Sequence, residues 1–257
     1  MLFENTIFGP IKSRRLGNSL GVNLLPTQHK YCSYDCVYCE CGWNRDSEQG
    51  LMQYATPDEV RHLLESKLQT LYMQGAVVDS ITFAGNGEPT LYPHFPTIVD
   101  LVIEMRDKYY PNAVTTLLTN ATQLVHSDIY DAVHKLDNPV LKLDCGTEPM
   151  WRLINRNNEL GCSFDELLAN LRRFGSHAIV QTLLFDGVVD GEKVSNITDE
   201  EFETYLKHLS EIRPNFVMLY ALDRETPAKE LRKLPVEELN FYAEKIRNEG
   251  IEVKVYG

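Results

Sequence analysis

Four of the six cysteines in this chain fall within ten residues, in CSYDCVYCEC at positions 32–41. Cys32, Cys36 and Cys39 are spaced C-x3-C-x2-C, with Cys41 close behind. Thiolates so placed bind zinc or iron–sulfur clusters. Structural zinc takes four ligands, often as two close cysteine pairs. Here the second pair is missing, and His29 or Cys41 would have to complete the set. Three thiolates from one tight loop suit a cubane cluster better, with three irons held and the fourth left open. An open metal position is what separates a catalytic site from a structural one. Zinc, and plain buried thiols, remain alternatives at this point.

Other residues could carry chemistry. FAGNGEPT, residues 83–90, places Gly85 and Gly87 around Asn86, followed by Glu88. Glycine lets backbone approach a ligand closely, although a turn between a strand and a helix would use the same residues. Thr119 and Asn120 end one apolar run, and Lys142, Asp144 and Cys145 end another. Lys142 and Asp144 are two apart and share a strand face. Two charges on one buried face are costly unless they are paired or used. Lys12, Arg14 and Arg15 form a basic cluster. It reads as a solvated turn, an anion site for a phosphorylated substrate, or a docking patch for an acidic electron donor. Arg156 and Arg224 offer bidentate recognition of carboxylate or phosphate. The spacing of Cys41, Cys145 and Cys162 fits no ferredoxin-like pattern.

The elements that must position these groups are legible as alternation. Short apolar runs at 19–25, 79–85, 113–119, 139–145, 178–185 and 215–222 suit parallel strands buried on both faces. Helical segments lie between them. Thr56-Pro57-Asp58-Glu59 predicts a capping box with proline at the first helical position, opening a helix to about Met73. Ser163–Glu166 and Thr198–Glu201 predict two more capping boxes, for helices to about Phe174 and Ile212. Segments 94–109 and 126–136 read as further crossover helices. A helix over 236–248 and a last strand within IEVKVYG follow. We expect one α/β domain over 1–257, with a core at about 19–222 and a C-terminal extension at about 223–257. In parallel α/β folds chemistry sits where strands end and helices begin.

Composition sets outer bounds. The 257 residues are 43% hydrophobic and 24% charged, ordinary for a globular chain. No apolar run has signal-peptide or membrane-span length. We expect a cytoplasmic protein with reduced cysteines and no membrane partner. The net charge of −12 disfavours nucleic acid, which attracts basic surfaces.

CSYDCVYC resembles the signature of the radical S-adenosylmethionine (SAM) superfamily, C-x3-C-x-φ-C, with Tyr38 as the aromatic φ. FAGNGEPT resembles that superfamily's glycine-rich GGEP motif. FGPIKSRRLGNSLGVNLLP, FAGNGEPTLYP, KLDCGTEPMWRLINR and YALDRETP together resemble its tRNA wyosine-synthase-like group of iron–sulfur oxidoreductases. The true wyosine enzymes bind a second cluster through cysteines upstream of the signature. No cysteine precedes Cys32 here, which weighs against that cluster and the tRNA product.

The resemblance implies a partial (β/α)6 barrel with parallel strands. It implies a [4Fe–4S] cluster on Cys32, Cys36 and Cys39, with SAM chelating the fourth iron. Tyr38, Gly85, Asn86, Gly87, Glu88, Thr119, Asn120, Lys142 and Asp144 become candidate SAM contacts. Flavodoxin or ferredoxin would supply one electron, and the 5′-deoxyadenosyl radical would take hydrogen from a substrate. Lys142, Asp144 and Cys145 become catalytic candidates, Cys145 as a hydrogen-atom donor, although a small buried thiol is its plainer reading. The substrate would be a tRNA base or a related small molecule. An activase for a glycyl-radical partner and a non-catalytic zinc or iron–sulfur module are the alternatives.

Overall fold

The computed structural model describes residues 2–44 and 53–257. Its contacts group into two compact units, Met1–Cys32 with Asn44–Thr119 and His126–Pro139, and Ser33–Trp43 with Asn120–Val125 and Val140–Gly257.

The first unit opens with β1 (Ile7–Ser13), antiparallel to β2 (Gly17–Val22). Then come α1 (Pro57–Met73), β3 (Ser80–Phe83), α2 (Phe95–Tyr109), β4 (Val114–Thr119) and α3 (Ser127–His134). β2, β3 and β4 are parallel neighbours, with Ser19 opposite Ser80 and Ser80 opposite Val114. Their buried polar residues satisfy one another. Ser19 Oγ and Thr82 Oγ1 are 2.7 Å apart, and Ser80 Oγ donates to Thr116 Oγ1 at 2.9 Å. Buried hydroxyls so paired cost little. α1 begins as expected, with Thr56 and Glu59 closing a reciprocal capping box. The sequence pattern missed β1.

β5 (Asn138–Lys142) runs into the second unit, which continues with α4 (Glu148–Asn155), α5 (Phe164–Phe174) and β6 (Ile179–Leu183). The antiparallel hairpin β7 (Phe185–Val189) and β8 (Glu192–Ser195) follows, then α6 (Asp199–Ile212) and β9 (Phe216–Tyr220). β10 (Glu230–Lys233), α7 (Val236–Asn248) and β11 (Val253–Tyr256) complete the chain. β5, β6, β9 and β11 are parallel neighbours in that order, while β10, β7 and β8 form a separate antiparallel sheet. α4 and this small sheet were not anticipated.

One expected cap is corrected. Thr198 accepts from the backbone of Glu201, but the Glu201 side chain does not return to close the box. Its carboxylate serves another helix. Glu201 Oε2 accepts from Gly146 N at 3.0 Å and Thr147 N at 3.1 Å, and Thr147 Oγ1 donates to Oε1. Glu201 therefore supplies an anion to the N-terminus of α4, where orphan N–H groups and the helix dipole favour it. The approach is close. A Cβ on Gly146 would lie 2.3 Å from Glu201 O and 2.6 Å from Tyr205 N, so only glycine fits.

Glu201→Ala should therefore cost about 1–3 kcal/mol, the desolvation left on buried donors that lose their acceptor. The check is a urea midpoint that falls while the slope is kept. An unchanged midpoint would contradict the capping role.

Candidate functional site

The first unit carries the glycine-rich segment and Cys32. The backbone of Tyr31, immediately before Cys32, pairs with it as a short parallel bridge to Gly87. Tyr31 N donates to Asn86 O at 2.9 Å and Glu88 N donates to Tyr31 O at 3.0 Å. A Cβ on Gly87 would lie 1.8 Å from Tyr31 O, and one on Gly85 would lie 2.1 Å from Asn23 Oδ1. Gly87 also has φ of +142°. Both glycines are thus required by packing within their own unit, so substituting them would break this segment whatever it binds.

Asn86 is a stitch as well. Its Oδ1 accepts from Phe3 N at 2.7 Å, and its Nδ2 donates to Phe3 O and Pro26 O, each at 2.9 Å. Glu88 is buried. Its Oε1 accepts from Thr119 Oγ1 at 2.6 Å, from Thr90 N at 3.1 Å and from the Thr90 hydroxyl. The candidates Gly85, Asn86, Gly87, Glu88 and Thr119 are therefore brought together at the ends of β3 and β4. A cavity of about 640 Å³ opens in the same unit beside Leu25, His29, Tyr54, Asp58 and His62. The basic cluster lies elsewhere. Lys12, Arg14 and Arg15 sit around the β1–β2 turn, at the start of β2 rather than its end. A rise of about 3.3 Å per residue puts that turn roughly 20 Å from the end of β2.

The second unit carries Cys36, Cys39 and the residues that brace them. The cysteine loop lies along the C-terminus of α4. Asp35 N donates to Asn155 O at 2.8 Å and Val37 N donates to Ile154 O at 2.9 Å. The last carbonyls of a helix lack partners within it, and here the loop supplies them. Trp151 Nε1 donates to Tyr34 OH at 2.8 Å. Arg156 adopts a left-handed conformation at the helix end, stacks on Trp43 at 4.8 Å and pairs with Asp190 at 2.7 Å. Arg224 reaches Glu40, also at 2.7 Å. Neither arginine presents its guanidinium for a substrate alone. Asn120 braces the loop start, donating to Ser33 Oγ at 2.8 Å and accepting from Thr122 N at 3.0 Å.

Asp144 joins these parts. Its side chain has no solvent exposure. Oδ1 accepts from Leu183 N at 3.0 Å. Oδ2 accepts from the Tyr38 hydroxyl, from Asn155 Nδ2 at 3.3 Å and from Lys142 Nζ at 3.4 Å. Lys142 Nζ also donates to Tyr38 OH at 2.8 Å. Burial works against the Lys142 ammonium, but Asp144, and to a lesser degree Tyr220, Cys36 and Cys39, together more than offset it and hold its pKa above the ordinary value. Burial, then the Asp144 charge, pushes the Tyr38 phenol well above its usual range, so it stays a donor. Cys145 is buried, and burial followed by Asp144 and Glu201 pushes its thiol up. Burial, then Glu166, pushes Cys162 up to about 12.

All six cysteines stand outside any disulfide. Among the described residues no three His, Cys, Asp or Glu side chains are drawn together as a metal cage. The donor chemistry still fits an iron–sulfur cluster. Soft thiols come from one short loop, and Asn155 Nδ2 donates to Cys36 Sγ at 3.4 Å. Sequence reasoning missed Asn155 and Trp151, and read Glu201 only as a capping-box residue of its own helix. Thr147, an N-cap ahead of Pro149, was the available signal for the helix that carries the first two.

Comparison with known proteins adds the family. The radical SAM superfamily profile matches residues 29–209. A protein named GTPase Obg from Brachyspira hyodysenteriae is 30% identical over 91% of this chain, which spans only 32% of that relative. A UPF0026 protein of Methanocaldococcus jannaschii is 28% identical over 90% of this chain and 67% of its own length. Among solved structures, a radical SAM methyltransferase from Sphaerobacter thermophilus superposes with a TM-score of 0.67 at 18% identity. That match covers 93% of this chain and 65% of the methyltransferase. TYW1 with a lysine–pyruvate adduct bound superposes at 0.61 with 14% identity, over 90% and 73%. The fold is accordingly the α/β partial barrel that these structures share. With its cysteine signature lying inside the matched span, the chain belongs to the radical SAM superfamily, a family of enzymes that bind S-adenosylmethionine.

Proposed function

We propose that Cys32, Cys36 and Cys39 hold a [4Fe–4S] cluster and that the protein uses it to cleave SAM reductively. When bound, the cluster and SAM together supply a carbon radical that abstracts hydrogen from a substrate. The observation that carries this reading is the bracing of the Cys36–Cys39 turn by α4 and Asp144. A signature loop held this firmly on both sides of one thiol is prepared before any metal arrives.

The chain's own residues have separable tasks in this reading. Tyr38, fixed by Asp144 and Lys142, holds the aromatic position of the signature still. The Gly85–Glu88 segment and Thr119 present buried polar groups at the strand ends for SAM. Asn120 holds Ser33, next to Cys32. Lys142 is the most exposed member of the network, with 13% of its side chain exposed, so it is the group best placed to meet a substrate or the SAM carboxylate. Cys145 has no such access, and its thiol stays protonated. A buried S–H remains able to return hydrogen only to a radical that reaches it.

The electron donor in this reading is a flavodoxin or ferredoxin of the cytoplasm. The substrate is a tRNA base or a related small molecule, and the net charge of −12 favours the small molecule. Among the described residues no helix is long and apolar enough to cross a membrane.

Anaerobic reconstitution of Cys36→Ala should leave the protein colourless and unable to form 5′-deoxyadenosine from SAM and dithionite. Retained cleavage would refute the ligand assignment. Asp144→Asn should strand the buried Lys142 ammonium and cost about 3–5 kcal/mol, the range for breaking a buried ion pair. Thermal or urea denaturation of the apoprotein reads this. The double variant Lys142→Met with Asp144→Asn should recover part of the loss. A single variant as stable as the parent would show that the pair is not structural.

A further inference from the structure

Asn155 has a part in this site that no motif points to. It closes α4, and only 1% of it is exposed. Its backbone carbonyl accepts from Asp35 N, and the carbonyl before it accepts from Val37 N, so the chain is pinned on both sides of Cys36. Its side-chain amide lies 3.3 Å from Asp144 Oδ2 and 3.4 Å from Cys36 Sγ. An amide carries two N–H donors on nitrogen and only acceptors on oxygen. Asp144 Oδ2 is an acceptor here, taking bonds from Lys142 Nζ and from the Tyr38 hydroxyl. The atom facing it must therefore be Nδ2, which fixes the amide orientation without reference to the sulfur. The second N–H of the same nitrogen is then left for Cys36 Sγ.

We propose that Asn155 is a positioning residue that sets the reduction potential of the cluster through this N–H···S hydrogen bond. The proposal rests on the reading of Cys36 as a cluster ligand. Adding an electron to a thiolate-bound cluster increases the negative charge on its sulfurs. A donor aimed at one of them stabilises the reduced form more than the oxidised form, and so raises the potential. The bond is buried, where a low dielectric strengthens it. Asp144 is the orienting partner, so one carboxylate couples the aromatic residue of the signature, the amide and the sulfur.

The test is a redox titration of the anaerobically reconstituted full chain, followed by the paramagnetic resonance of the reduced cluster. Asn155→Leu keeps the branched shape and the number of side-chain heavy atoms and removes the donor. At the ambient potential where the parent is half reduced, its ratio of reduced to oxidised cluster should fall about tenfold, a midpoint about 59 mV more negative for one electron. Trp151→Phe is the comparator. It removes the Trp151–Tyr34 bond between the same helix and loop but leaves the sulfur donor, so it should lower stability and keep the midpoint. If leucine blocks assembly, Asn155→Ser, too short to reach Sγ, is titrated with the same expectation. A full cluster in Asn155→Leu at the parent midpoint overturns the proposal. So do equal shifts in Asn155→Leu and Trp151→Phe, which would mean a loosened loop. If the parent itself takes up no cluster, the ligand reading fails, and this proposal falls with it for that separate reason.

Discussion

A carboxylate with no access to water must have its lone pairs met by protein, and that requirement at Asp144 shapes the second unit. Its donors come from the cysteine loop, from β5, from the end of β6 and from α4. Leaving one of them out would expose the full desolvation cost of a buried charge. The consequence is geometric. A loop rich in thiols, which has no regular structure to stiffen it, is fixed because one of its side chains completes an obligatory set of bonds. Burial, and then the same carboxylate, raises the Tyr38 phenol, and the carboxylate is the largest of the groups that raise Lys142 against its burial.

α4 is the second half of that arrangement, and its two ends are used differently. At the N-terminus Glu201 takes up orphan N–H groups, and at the C-terminus the orphan carbonyls accept from Asp35 and Val37. A short helix of marginal intrinsic stability is thereby held between α6 and the loop that it supports. The first unit uses another device for the glycine-rich segment. There backbone pairing with Tyr31 leaves no room for a side chain at Gly87, and the Asn23 side chain leaves none at Gly85. Glycine at these positions has a complete structural explanation, and any role in ligand approach comes in addition to it.

Much of this was legible in the residues, and the rest fails to be for physical reasons. The capping boxes at Thr56 and Ser163 are local, and both form. The one at Thr198 is half formed, because Glu201 satisfies partners 54 and 55 residues away that no local pattern names. Lys142 and Asp144 could be paired from their spacing and the cost of burying charge. Asn155 could not, since an asparagine in a polar stretch carries no sign of what it faces. The β7–β8 hairpin is different. Asp190–Gly191, between the paired Val189 and Glu192, is a strong two-residue turn signal that a pattern of alternating parallel strands and helices has no place for. β1 alternates poorly and is largely exposed at its far end, so neither period marked it.

The central claim is that three thiols of this loop hold a cluster whose remaining iron is open to SAM. The most direct measurement is the paramagnetic resonance of the dithionite-reduced, anaerobically reconstituted protein with and without SAM. The account predicts a [4Fe–4S] signal that changes when SAM is added, as a ligand binds at the open iron. A cluster signal indifferent to saturating SAM, or a protein that takes up zinc and no iron, would contradict it.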